Sequence, residues 1–287
     1  MEGVGMRDRM NSSAPTGCRR ARRALFASVL GAVVCAFVGV GSAGAALVTV
    51  GSPLTLTFSN EPVNSAATVM NSALGETGAH AASPVTGTVV SWHITQASGG
   101  PFYLSILTPD GGLTYTGAAT STGEVPTSTA TQTYNTDLPI KTGQFIGLDN
   151  SNDGDTLGLS SAAPGSDFCA FTPPVADGSA STALGCASGY EVGFNADVQP
   201  LPTVTGLSRR SGLKRGGRKI TIRGKNFDGT TAVTFGKKKA KSFKVVSDTR
   251  IHAVAPAHHA GVVHVTVYNP GKSAPSKGSK FKFKKSA

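Results

Sequence analysis

Along this chain apolar and polar residues alternate in short runs, and turn-forming Gly, Pro, Asn and Asp interrupt them every few residues. Nothing reads as a long amphipathic helix, whereas period-two alternation is the mark of a half-buried strand. The pattern predicts strands at Leu54–Phe58, Val89–Ile94 and Phe102–Leu107. Pro109-Asp110-Gly111-Gly112 predicts a turn, joining the last of these to Leu113–Thr116 as a hairpin, because Pro presets one φ and Gly supplies the positive ones. Further strands are predicted at Thr131–Tyr134, Gln144–Leu148, Thr156–Leu159 and Tyr190–Val198. About eight short strands in some 150 residues favour a jelly-roll or sandwich-like β domain, since many short strands must stack or close to hide their edges. Trp92, Phe102, Tyr103, Phe145 and Phe194 fall mostly in apolar strands and are expected in its core.

Beyond Pro200-Leu201-Pro202, a short and semi-rigid joint, the alternation continues. Ile220 and Ile222 face one way and Thr221 and Arg223 the other; at the end Lys280, Lys282 and Lys284 alternate with Phe281 and Phe283. The segment also carries Gly216-Gly217, Gly224-Lys225-Asn226-Phe227, Val233-Thr234-Phe235-Gly236, Ser247-Asp248-Thr249-Arg250-Ile251 and Ala255-Pro256. With these motifs residues 202–284 resemble the IPT/TIG family of immunoglobulin-like domains. The resemblance implies a β-sandwich of about seven strands. Such domains occur in cell-surface receptors, extracellular adhesins, polysaccharide-active enzymes and some transcription factors, so the likeness restricts fold more than function. The abundance of Lys and Arg departs from many relatives.

Charge sharpens the division. The formal net charge of +11 conceals residues 47–199, with one base (Lys141) against twelve acids, a net of −11. Residues 200–287 hold twenty Lys or Arg against Asp228 and Asp248 alone, a net of +18. The expected organisation is therefore an acidic β-sandwich domain at 47–199 and a basic immunoglobulin-like domain at 200–287.

Residues 1–46 read as a secretory signal peptide. Arg19, Arg20, Arg22 and Arg23 precede an uncharged apolar run, Ala24–Val40, and then Ala43-Gly44-Ala45, an A-x-A cleavage pattern. The run is short for a membrane span of about 20 residues, so cleavage is expected to leave no transmembrane segment. Export implies an oxidising compartment, in which the two remaining cysteines, Cys169 and Cys186, pair as one disulfide.

Two candidate sites stand out. Asp149, Ser151, Asp153 and Asp155 place oxygen ligands at alternate positions around Gly154, as at the start of an EF-hand calcium loop. The twelfth position is Ser160 rather than Glu, and a hairpin loop rich in turn formers explains the same residues. No other cofactor is expected. The second candidate is an anion-binding patch of Arg209, Arg210, Lys214, Arg215, Lys237, Lys238, Lys239 and Lys241, set against the alternative of a solvated surface. The opposite charges also suit self-association between the modules of neighbouring molecules. Base-specific recognition of nucleic acid has no supporting motif.

Catalytic motifs are missing: there is no G-x-S-x-G elbow, H-E-x-x-H helix or phosphate loop. His258-His259 lacks partners at metal-ligand spacing. Asp110, Glu124 and Glu191 are the conceivable carboxylates for glycoside hydrolysis, a chemistry whose pair is set in space rather than in sequence. The expectation is a non-catalytic, secreted or cell-envelope-associated binding or adhesion protein. Its basic module would contact an anionic envelope polymer or polysaccharide, and its acidic domain a partner or carbohydrate. The competing expectation is an extracellular polysaccharide-active enzyme with the immunoglobulin-like domain as accessory.

Overall fold

The computed structural model describes residues 46–285, so the expected signal peptide lies, apart from Ala46, outside the described residues. The regular structure of the described residues is entirely β. The acidic half contains β1 Val48–Gly51, β2 Ser59–Pro62, β3 Ala67–Ala73, β4 Gly87–Ile94, β5 Phe102–Gly111, β6 Thr114–Thr120 and β7 Gln132–Ile140. It continues with β8 Phe145–Asn150, β9 Thr156–Ser160, β10 Asp167–Phe171, β11 Ala180–Thr182, β12 Gly185–Ser188, β13 Glu191–Val192 and β14 Phe194–Pro200.

Two of its sheets form a sandwich. One has the order β1-β14-β4-β7, the other β11-β6-β5-β8-β3-β10-β12, and a small sheet, β13-β9-β2, adds Leu157 and Val192 to the same core. The core between them takes Val89, Trp92 and Ile94 from β4, Phe194 and Val198 from β14, and Phe102, Leu104 and Ile106 from β5. Val89 and Trp92 are three residues apart, which strict alternation would put on opposite faces. A bulge between Val89 and Ser91 adds the residue that turns both inward. Trp92, Phe102 and Phe194 are fully buried as expected, whereas Tyr103 and Phe145 are half-buried.

The seven-stranded sheet buries its second face as well. Met70, Leu107, Tyr115, Cys169 and Phe171 pack there with Val175 and Ala183 from the irregular segment before and after β11. Cys169 and Cys186 face each other directly across the β10–β12 pair and form a disulfide, with Cα atoms 4.1 Å apart. The bond closes the Pro- and Gly-rich segment over an apolar surface that no sheet covers.

Three local expectations are corrected. Leu54–Phe58 is not a strand: Leu54 takes a left-handed φ of 57° and gives its amide to Ser52 Oγ (2.9 Å), so a side-chain turn displaces the ladder. The hairpin turn lies later than Pro109-Asp110, because β5 runs on to Gly111 with Pro109 opposite Tyr115, and positive φ at Gly111 and Gly112 reverses the chain. Tyr190–Val198 is two strands, since β13 pairs with β9 and β14 with β4. The change of sheet falls at Gly193, where a Cβ would strike Thr95 and Phe58.

The basic half contains β15 Thr203–Leu207, β16 Ser211–Leu213, β17 Lys219–Lys225, β18 Ala232–Phe235, β19 Lys238–Lys239 and β20 Ser242–Ser247. β21 Arg250–Val254, β22 Gly261–Asn269, β23 Gly271–Lys272 and β24 Lys280–Lys284 complete it. A β15-β17-β21-β20 sheet faces a β16-β24-β22-β18-β19 sheet, and Ile220, Ile222, Phe227, Phe235, Phe281 and Phe283 fill the space between. Gly224 is required there, because a Cβ would collide with the Thr203 carbonyl and the Phe227 ring. At the joint Leu201 gives its amide to Thr86 O (3.1 Å) and accepts from Asn226 Nδ2 (2.9 Å), so it is tied to both halves.

Because the disulfide closes a 17-residue separation, its removal is expected to cost about 3 kcal/mol. Comparing thermal unfolding of the oxidised protein with the Cys169→Ser/Cys186→Ser variant measures this. Limited proteolysis is expected to cut the variant first between residues 172 and 184.

Candidate functional site

The basic half displays its cations without neutralising them. All eight patch residues, Arg209, Arg210, Lys214, Arg215, Lys237, Lys238, Lys239 and Lys241, are exposed. Among the described residues the ion pair within 4.0 Å is His93–Asp197, in the acidic half, and no Lys or Arg takes part in one. The two carboxylates of the basic half are spent elsewhere. Asp228 is buried, and burial followed by the nearby Asp248 raises its pKa. Asp248 accepts from the Asn226 amide (3.2 Å) while its carbonyl accepts from Phe227 N (2.9 Å), which holds the turn after β17.

The fold brings together only part of the predicted patch. Lys214, Arg215 and Lys238 line one shallow hollow with His258, His259 and Lys285, so a residue from each sequence cluster meets there. The floor is held by backbone bonds from Lys214 N to Lys284 O (2.9 Å) and from His258 N to Lys214 O (2.8 Å). The His258 ring stacks on Phe283 at 4.8 Å and 15°. Arg209 and Arg210 lie in the β15–β16 connection, and Lys237, Lys239 and Lys241 on or beside the β18–β19 hairpin; none lines the hollow.

A second basic surface was missed by reading clusters. On the outward side of the β17–β21–β20 sheet Arg223 stands directly opposite Arg250, and Thr221, His252 and Lys244 form the next row. Like charges paired across strands destabilise a sheet by some tenths of a kcal/mol. The period-two pattern contained the signal, since Arg223 and Arg250 occupy outward positions beside inward Ile222 and Ile251, but pairing requires the register.

The Asp149–Asp155 loop does not converge its oxygens. Asp149 is buried, with Oδ1 accepting from Thr68 Oγ1 (2.5 Å) and Ser105 Oγ (3.1 Å). Asp155 is buried in another direction, accepting from Gly100 N (2.7 Å) and Asn152 N (3.2 Å). Ser151 gives its hydroxyl to Pro101 O (3.0 Å), and Asp153 is exposed. Most of these bonds tie the loop outward, to β3, to β5 and to the segment before β5, instead of turning its oxygens toward one centre. Among the described residues no three His, Cys, Asp or Glu side chains group as metal ligands.

The conceivable hydrolytic carboxylates are also dispersed. Asp110 and Glu124 stand at opposite ends of β5, where Glu124 bridges Phe102, about 27 Å apart at the rise of a strand. Glu191 is fully buried. The sequence reading missed a chain of hydrogen bonds from Thr133 Oγ1 to His93 Nδ1 (2.8 Å) and from His93 Nε2 to Asp197 Oδ2 (2.9 Å). It lies across a sheet face on β7, β4 and β14. An apolar crevice of about 220 Å³ between β2, β9 and β10 holds Val63, Leu157, Leu159, Val192 and one aromatic ring, Phe168.

Against known proteins, the IPT/TIG domain model matches residues 202–283, the segment that forms the basic sandwich. No curated protein matches the chain. An IPT/TIG domain is an immunoglobulin-like accessory or binding module. No helix among the described residues is long and apolar enough to cross a membrane.

Asp149 supplies a test of the acidic half. Burial pushes its carboxyl up to about 6, the Thr68 and Ser105 hydroxyls partly oppose this, and Asp177 adds to it. A folded pKa above the unfolded 3.8 means that the native state holds the proton more tightly. Stability contributed by this group is therefore present at low pH and is lost as pH rises through roughly 4 to 6. Asp149→Asn is expected to lose about 1 kcal/mol less stability than wild type between pH 5 and pH 7, measured by urea unfolding at each pH.

Proposed function

We propose that this chain is an exported, non-catalytic binding protein whose IPT/TIG module holds an anionic polymer of the cell envelope. The observation that carries this reading is the set of exposed cations with no carboxylate partner, arranged as a hollow around Lys214, Arg215 and Lys238 and as a sheet face with Arg223 against Arg250. A solvated surface serving only solubility has no need of like charges in register. A polyanion laid across that face relieves the repulsion and gains the field of the whole module. The sheet is open rather than cleft, which suits an extended chain of phosphates or sulfates better than a small molecule. Export rests on the sequence pattern of residues 1–46. In this reading the acidic sandwich is turned away from the envelope and left free for a partner or carbohydrate.

The test is retention of the full chain on immobilised polyphosphate and on a sulfated polysaccharide, with neutral dextran as control. Retention on both anionic supports at low salt is expected, with release as ionic strength rises to about 0.5 M, where screening falls to a few ångströms. Lys214→Gln/Arg215→Gln/Lys238→Gln and Arg223→Gln/Arg250→Gln are each expected to elute earlier in the salt gradient. Equal retention on dextran, or elution unchanged in both variants, sinks the proposal.

A further inference from the structure

The basic half has a second shallow hollow beside the one around Lys214 and Lys238. Ser211 and Leu213 of β16, the Gly216-Gly217 turn, Arg218 and Lys284 line it, and it shares Arg215 with the first. The chain passes between the two hollows twice. Lys214 borders the first and Arg215 both; Lys284 borders the second and its neighbour Lys285 the first. These two crossings are bonded to each other, since β16 runs parallel to β24 with Leu213 beside Lys284, and Lys214 N donates to Lys284 O (2.9 Å). The hollows are therefore adjoining parts of one trough.

Arg215 stands where they meet. Gly216 N donates to Leu213 O (3.0 Å), closing a tight turn with Arg215 at its third position. Gly216 takes a φ of 77°, and a Cβ there would strike the Pro256 carbonyl, so the turn is seated hard against the β21–β22 connection. The glycine amides that could cradle a single anion are already spent, because Gly217 N donates to Ala255 O (2.9 Å) as Gly216 N does to Leu213 O. What the trough offers instead is side chains: Lys214, Arg215, Arg218, Lys238, Lys284 and Lys285, all exposed. Neither hollow has an acid in its lining, and none of these six cations is in an ion pair among the described residues.

We infer that the two hollows are one site, which takes a linear chain of phosphates lengthwise across Arg215. This rests on the polymer-binding reading and narrows it to one surface and one kind of polymer. Spent amides disfavour an isolated anion, whereas six cations in two joined hollows match charges that repeat along a chain. The cations are closely set, with Lys214 next to Arg215 and Lys284 next to Lys285. A phosphate chain answers that spacing with a charge on every short repeat, while a sulfated polysaccharide spreads its charges over sugar rings. Arg215 adds a planar fork of donors that holds two oxygens of one phosphate at the junction. The Arg223–Arg250 face lies on the other sheet and contributes only to the general field.

The experiment titrates the full chain with long-chain polyphosphate, triphosphate and dextran sulfate across a salt series. Long-chain polyphosphate is expected to bind about a hundredfold more tightly than triphosphate, which reaches one hollow at a time. Its log affinity is expected to fall against log salt with a slope of about −4, the counterion release of six phosphates on a flexible chain. Arg218→Gln/Lys284→Gln in one hollow and Lys214→Gln/Lys238→Gln in the other are each expected to weaken the long chain about tenfold, triphosphate less, at an unchanged thermal midpoint. Arg223→Gln/Arg250→Gln is expected to weaken both phosphate probes by the same factor. Equal affinity for triphosphate, a loss in only one of the two hollow variants, or tighter binding of dextran sulfate overturns the inference. Should one of these occur while the protein is still retained on anionic supports, the broader reading stands without it; a protein that is not retained at all sinks both.

Discussion

The large sheet of the acidic half is apolar on both faces, and that constraint organises the rest of the structure. Leu104 and Ile106 project into the sandwich, while Leu107, Met70 and Phe171 project the other way. One face is covered by the β1-β14-β4-β7 sheet, as in any sandwich. The other has no sheet to meet it, and buried apolar area contributes roughly 25 cal/mol per Å² only if water is removed from it. A segment with little regular structure of its own, carrying Val175 and Ala183, does that work, and the Cys169–Cys186 bond limits its freedom. The disulfide is thus part of the core rather than an addition to the surface.

The basic half solves the same problem in a simpler way. Each sheet has one apolar and one wet face, so alternation, interrupted by bulges in β15 and β20, suffices, and the wet faces are left to carry charge. The strands that place Ile222, Ile251, Phe281 and Phe283 inside necessarily place Arg223, Arg250, Lys282 and Lys284 outside. The outward charge of this half follows from the same period-two geometry that builds its core. Of its two acidic side chains Asp248 holds one turn and Asp228 is buried, and among the described residues no Lys or Arg pairs with either, so the outward charge remains uncompensated.

How legible this was depended on whether a feature is local. Val89–Ile94 and Phe102–Leu107 are strands as their alternation indicates, and the glycines and aromatic residues at 216–236 carry the immunoglobulin-like pattern that the domain model matches. Leu54–Phe58 alternates equally well and is not a strand, because a Ser52 side chain captures the Leu54 amide before any ladder can. The Asp149–Asp155 loop shows the same limit: its oxygens stand at calcium spacing in the sequence, yet in space they turn to Thr68, Ser105 and Gly100.

The sequence by itself determined the β class, the immunoglobulin-like character of residues 202–284, the pairing of the two cysteines and the separation of acidic from basic residues. These depend on alternation, on turn residues and on composition, which act over a few residues or sum over many. Only the tertiary structure decided which cations share a hollow, that Arg223 lies against Arg250, and that the acids of the Asp149–Asp155 loop turn to different partners. Those depend on strand register and sheet order, where a shift of one residue turns every side chain to the other face.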